Sequence, residues 1–140
     1  GEKLLAKIDE TERSIVAPFR DNASCPFVGL RNIGSTCYAN SVLQYLYVNQ
    51  DFRASVISAA SKSSEEDDVL SALKLLIGSL QMGCEAVCDP TTFADSSGLT
   101  RGEQEDVIEF WQVLMGYLSA RTTCSVPRLV SFQQVSEVVC

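Results

Sequence analysis

No histidine occurs anywhere in the 140 residues of this chain, and that absence excludes more than any other feature of its composition. Within these residues there can be no imidazole general base and no metal centre built on histidine. Long apolar runs are also lacking, since nothing approaches the ~18 uninterrupted residues of a membrane span. Positive charge is scarce, with 11 Lys and Arg against 18 Asp and Glu, a net charge of −7. Nucleic acid and anionic membrane, which need clustered cations, are therefore not expected partners; a partner of basic character suits the charge better. The chain begins at Gly1 and shows no basic segment followed by an apolar one, so no secretory signal is read and cytoplasm or nucleus is expected. Internal repeats and low-complexity blocks are missing as well.

What is present reads as globular protein, 46% hydrophobic and 21% charged, long enough for one domain. A chain of this size buries roughly 65–70% of its unfolded surface. The six cysteines are irregularly spaced and read as free thiols of a reducing compartment rather than a disulfide framework. Cys84-Glu-Ala-Val-Cys88 has no second pair and no histidine to complete a zinc site, and helix-end or loop cysteines are preferred there.

Cys37 is the cysteine that stands apart. It lies where a polar turn containing Gly34 gives way to a periodic segment, Ala39, Val42, Leu43, Leu46 and Tyr47, which predicts a helix from about Cys37 to Asn49. The first turn of a helix presents unpaired N–H groups and the positive end of the macrodipole, which favour a thiolate and can hold a developing oxyanion. A polar linker then leads to a second helix, with Ser63 and Ser64 as caps, acidic residues 65–68 at its positive end, and Val69, Leu73, Leu76, Ile77 and Leu80 as its apolar stripe. Gly83 is the expected terminator. Residues 84–99 read as loop with at most one helical turn. Thr100-Arg-Gly-Glu103 has the form of a capping box, so a third helix is expected to about Ala120, with Val107, Phe110, Trp111, Leu114 and Leu118 inward. Residues 1–10 suit a short amphipathic helix or linker, 18–28 a loop, and the β-prone tail from Val126 to Val139 one or two strands.

Gly29-Leu30-x-Asn32-x-Gly34-x-Thr36-Cys37-Tyr38-x-Asn40-Ser41-x-Leu43-Gln44 closely resembles the cysteine box of the ubiquitin-specific proteases, and Gln104-Glu105-Asp106-Val107-Ile108-Glu109-Phe110 resembles a second motif of that family, in the family's order. The resemblance implies an α+β, papain-like cysteine peptidase, of which residues 26–140 would be the mainly helical thumb and the start of the fingers, preceded by a linker over 1–25. It implies Cys37 as nucleophile and Asn32 as oxyanion-hole donor, aided by the Cys37 backbone N–H. Gln104 and Asp106 would bind the arginine-bearing tail of ubiquitin. Glu105 departs from the family's usual glutamine and inherits no role. Tyr38, Asn40, Ser41, Leu43 and Gln44 look architectural, with Phe110 packing in the core and Glu109 bonding neighbouring backbone.

The implied activity is thiol-dependent hydrolysis of the bond after ubiquitin's terminal glycine, with ubiquitin and ubiquitinated proteins as partners. No cofactor is required, although the family's fingers often hold structural zinc, and Cys140 would be the first ligand of such a site cut short. The start at Gly1 and the end at Cys140 are read as marks of a fragment, expected to be inactive by itself for want of a histidine and to expose apolar surface. The alternative is a catalytically silent ubiquitin-binding or scaffold protein lacking the histidine half.

Overall fold

The computed structural model describes residues 27–62, 68–99 and 102–124. In chain order these form β1 (Gly29–Leu30), α1 (Cys37–Val48), α2 (Gln50–Ser58), α3 (Asp68–Met82), β2 (Val87–Cys88), α4 (Thr91–Ser97) and α5 (Val107–Arg121). The architecture is mostly helical with one small two-stranded sheet. The expectations for residues 1–10 and 18–26, the caps Ser63 and Ser64, Thr100, and the tail from Val126 to Cys140 lie outside the described residues.

Helix α1 lays one face into the core and exposes the other. Tyr38, Ala39, Val42, Leu43 and Leu46 are buried at helical spacing, and α2 and α5 pack against it. Its half-buried polar side chains secure β1: Asn40 Nδ2 donates to the Arg31 carbonyl at 3.0 Å and Gln44 Nε2 to the Val28 carbonyl at 2.8 Å. Four residues apart, these two amides lie on one face of the helix. The other side of β1 pairs in parallel with β2, Gly29 opposite Val87 and Leu30 opposite Cys88, and the exposed Arg31–Asp89 ion pair at 3.3 Å lies beside it. The architectural reading of Asn40 and Gln44 thus has a definite content, which is to hold the strand that feeds the cysteine turn.

Helix α3 buries Leu70, Ala72, Leu73, Leu76, Ile77 and Leu80 and packs on both α2 and α4. It stops at Met82 because the chain must curl tightly there: the Gly83 amide donates to the Ser79 carbonyl at 2.9 Å, and a Cβ on residue 83 would lie 2.3 Å from that oxygen. At the far end, the Ser61–Thr122 bridge joins the chain after α2 to the end of α5, with Lys62 N–Arg121 O and Thr123 N–Ala60 O bonds of 2.9 Å.

Three expectations are corrected. The segment after α1 is not a polar linker but the helix α2, which starts because Asn49 Oδ1 accepts from the Phe52 amide at 3.1 Å and which buries Phe52 and Val56. Its weak apolar pattern, two deep residues among polar ones, hid it. Residues 84–99 hold β2 and the two-turn helix α4 rather than loop, because Phe93 and Ala94 are drawn into the core and Asp89 accepts from the Thr91 amide at 2.9 Å. Helix α5 begins at Val107, with Asp106 rather than Thr100 as its cap, and Val107 is exposed; Phe110, Leu114 and Leu118 face inward and Trp111 is half-buried.

Candidate active site

The turn that delivers Cys37 is organised by one side chain. Asn32 Oδ1 accepts from the Gly34 amide, the Thr36 amide and the Thr36 hydroxyl, each at 3.2 Å, while Thr36 Oγ1 accepts from the Ile33 amide at 3.2 Å. Thr36 is 1% exposed, so the bonds its own groups make are partly shielded from competing water, while the Asn32–Gly34 bond lies at the surface. The backbone must turn left-handed to close it, and does so at Gly34 (φ 111°) and Ser35 (φ 51°). With Oδ1 so engaged, the Nδ2 donor of this exposed residue makes no bond to the described residues.

Cys37 is the first residue of α1 and is exposed. No side chain caps this helix, and its first turn carries no acidic residue, so the leading N–H groups remain available to an anion. The other described cysteines are placed differently. Cys124 is buried with its sulfur 3.3 Å from the Ser55 hydroxyl; Cys88 is buried, which pushes its thiol pKa up, and lines a cleft of about 420 Å³ with the exposed Cys84. Among the described residues no group of three or more Cys, Asp or Glu side chains could hold a metal ion.

The second motif is brought to this turn by two bonds. The Gly102 amide donates to the Gly34 carbonyl at 3.2 Å, and the Tyr38 hydroxyl donates to Glu105 Oε2 at 3.1 Å. The Tyr38 ring is buried and meets Phe110 edge-on, centroids 5.8 Å apart at 82°. Burial, then the bond to Glu105, then the nearby negative charges raise the Tyr38 pKa to about 12, so it stays a donor. Gln104 and Asp106 are both exposed on this approach. Asp106 Oδ1 caps α5, accepting from Ile108 N at 2.6 Å and Glu109 N at 3.4 Å, and its other oxygen makes no bond to the described residues. Glu109 is exposed, and its backbone amide donates to Asp106. With Glu105 it edges a cleft of about 370 Å³ floored by Phe93, Leu99, Phe110 and Leu114.

The sequence thus indicates Cys37, Asn32, Gln104 and Asp106 as one neighbourhood, and the structure gathers their segments. It missed Tyr38 and Glu105 as the connection. The available signal was the carboxylate at position 105, where the resembling motif has an amide.

The description "Ubiquitin carboxyl-terminal hydrolase" belongs to the family model that matches residues 28–139. Ubiquitin carboxyl-terminal hydrolase 26 of Arabidopsis thaliana is 37% identical over 99 residues, 71% of this chain and 9% of the relative. Ubiquitin carboxyl-terminal hydrolase 48 of Gallus gallus is 32% identical over 104 residues, 66% of this chain and 10% of the relative. Ubiquitin carboxyl-terminal hydrolase 7 of Caenorhabditis elegans is 31% identical over 128 residues, 81% of this chain and 11% of the relative. The chain therefore spans about a tenth of the length of these curated relatives. No described helix is long and apolar enough to cross a membrane.

Proposed function

This chain belongs to the ubiquitin carboxyl-terminal hydrolase family, and on that premise we propose that it is the nucleophile-bearing, thumb part of a papain-like deubiquitinase catalytic domain. The observation that carries the reading is an exposed cysteine at the uncapped start of α1, reached through a turn that Asn32 holds together. In the proposed reaction the Cys37 sulfur attacks the carbonyl carbon of ubiquitin's terminal glycine. A C–S bond forms, the carbonyl π pair moves to oxygen, and that oxyanion is met by the Cys37 N–H and the Asn32 amide. Collapse breaks the C–N bond and expels the protonated amine; water then hydrolyses the thioester and frees the thiol.

The reaction also needs a group that takes the thiol proton and delivers it to the amine, typically worth ~10²–10⁴-fold. This chain has no histidine, and we assign that group to protein outside these residues. Gln104 and the free oxygen of Asp106 are the proposed contacts for the basic tail of ubiquitin, through charge-assisted hydrogen bonds. A structural zinc with Cys140 as a ligand, and residence in cytoplasm or nucleus, belong to the same proposal.

The test is hydrolysis of a ubiquitin C-terminal fluorogenic amide by the full-length protein. Cys37→Ser should bring turnover to background without changing the thermal midpoint, because the side chain is exposed. Turnover by Cys37→Ser at the wild-type rate would sink the assignment. A wild-type protein that binds ubiquitin and never turns over would favour the scaffold alternative.

A further inference from the structure

We propose that Glu105 and Tyr38 form a latch that keeps the substrate-tail segment 104–106 in register with Cys37, making both of them positioning residues. The inference rests on the functional reading above and adds to it a role for Glu105, a residue at which this chain departs from the family motif. Glu105 and Tyr38 are 67 positions apart, and holding together two segments so distant in sequence has an entropic cost that contacts between them must offset. Two bonds do so here, one from the Gly102 amide to the Gly34 carbonyl and one from the Tyr38 hydroxyl to Glu105.

The two ends of the side-chain bond differ in freedom. Tyr38 is 5% exposed, belongs to the first turn of α1, and has its ring set against Phe110. Its hydroxyl is therefore a fixed donor attached to the residue that follows the nucleophile. Glu105 is exposed on a segment without regular structure, so the bond fixes the loop to the helix and not the reverse. A carboxylate makes this a charge-assisted bond, stronger than the amide of a glutamine would give. Asp106, one residue on, is pinned from the other side by capping α5. Gln104 and Asp106 are thereby held between two anchors, one of which leads directly to Cys37.

Register matters because a misplacement of about 1 Å between a reacting carbonyl and its nucleophile can cost on the order of 100-fold in rate. It matters only for a substrate gripped by its tail. A small electrophile that reaches the thiol by diffusion is indifferent to where segment 104–106 lies. The latch therefore separates two reactivities of the same sulfur.

The experiment compares these reactivities in the full-length protein. One probe is ubiquitin carrying a C-terminal propargylamide; the other is iodoacetamide, with Cys37 modification followed by peptide mass spectrometry. Tyr38→Phe and Glu105→Ala should each slow the ubiquitin probe about tenfold while leaving iodoacetamide within about twofold. The double variant should be no slower than either single one, and Glu105→Gln should recover most of the loss. Hydrogen exchange at the Gly102 amide should accelerate in both single variants. Additive losses, or two probes that slow together, would overturn the latch. So would unchanged Gly102 exchange in Tyr38→Phe. A wild-type protein alkylated normally but inert to the ubiquitin probe would overturn the functional reading instead, and Gly102 exchange would still decide whether the latch exists.

Discussion

Helices α1 and α5 both begin at a motif residue and pack against one another, yet their first turns treat the leading N–H groups in opposite ways. At α5 the preceding residue, Asp106, turns its carboxylate back onto two amides, the usual arrangement of a helix that must start at a defined place. At α1 the preceding residue, Thr36, faces the other way: its hydroxyl serves the turn behind it and leaves the helix uncapped. Leaving a helix uncapped typically forgoes about 1 kcal/mol. Asn32 Oδ1, the Thr36 hydroxyl and the amides of Ile33, Gly34 and Thr36 are instead committed to one another, so the turn is held without drawing on the donors in front of Cys37. A capped helix start has its leading N–H groups satisfied from within, whereas an uncapped one held from behind leaves them available to an anion.

The comparison breaks most severely at Thr36. Thr36→Val keeps the volume of a fully buried side chain but removes the acceptor of the Ile33 amide and one of the three donors to Asn32. Ile33 is half-buried, so its unsatisfied amide should cost toward the low end of the about 1–3 kcal/mol of a fully buried one, which should appear as a lower urea midpoint at unchanged m-value. The loosened Asn32 amide should also slow turnover of ubiquitin substrates beyond what the stability loss explains. A variant with wild-type stability would show that the turn is not what holds the helix start.

Much of this was legible in sequence because both motifs are local. A glycine, a threonine and a cysteine at fixed spacing before an apolar 3.6-residue pattern specify a turn and a helix without reference to the rest of the chain. The same locality explains the misses. Helix α2 rests on Phe52 and Val56, two positions whose weight comes from the helices they meet. Strand β2 is two residues long and exists only because β1 is there to pair with it. At the start of α5, the capping-box pattern pointed to Thr100, but the contacts of segment 102–105 with the cysteine turn accompany a later start, at which Asp106 is the cap. Glu105 went unread for the same reason: its partner lies in another motif.

At α5 the comparison can be sharpened by separating shape from charge. Asp106→Ala removes the cap and should cost about 1 kcal/mol in thermal or urea unfolding. Asp106→Asn keeps an acceptor for Ile108 and Glu109 and should remain within about 0.5 kcal/mol of wild type, the residual loss reflecting the helix dipole. If the free oxygen of Asp106 meets a basic tail, KM for ubiquitin substrates should rise in both variants, whatever their stabilities. A KM that follows stability alone would return Asp106 to a purely structural role.

The smallest expected effect concerns the bridge between the two helix starts. Folding raises the Tyr38 pKa from 10.0 to about 12, through burial first and the Glu105 bond second, so the fold favours the neutral phenol. Below pH 10 both folded and unfolded chains carry that proton and the contribution is complete. Between pH 10 and about 12 the unfolded chain releases the proton while the folded chain retains it, so the stability contribution is lost as pH rises. Unfolding midpoints measured from pH 8 to 11 should therefore fall more steeply for wild type than for Tyr38→Phe, the shared titration of other groups cancelling in the difference. Glu105→Gln should lie between them, since it removes the charge while keeping an acceptor. Parallel slopes for wild type and Tyr38→Phe would mean that the hydroxyl gains nothing from its carboxylate, and the two helix starts would then be joined by the Gly102–Gly34 bond and apolar packing.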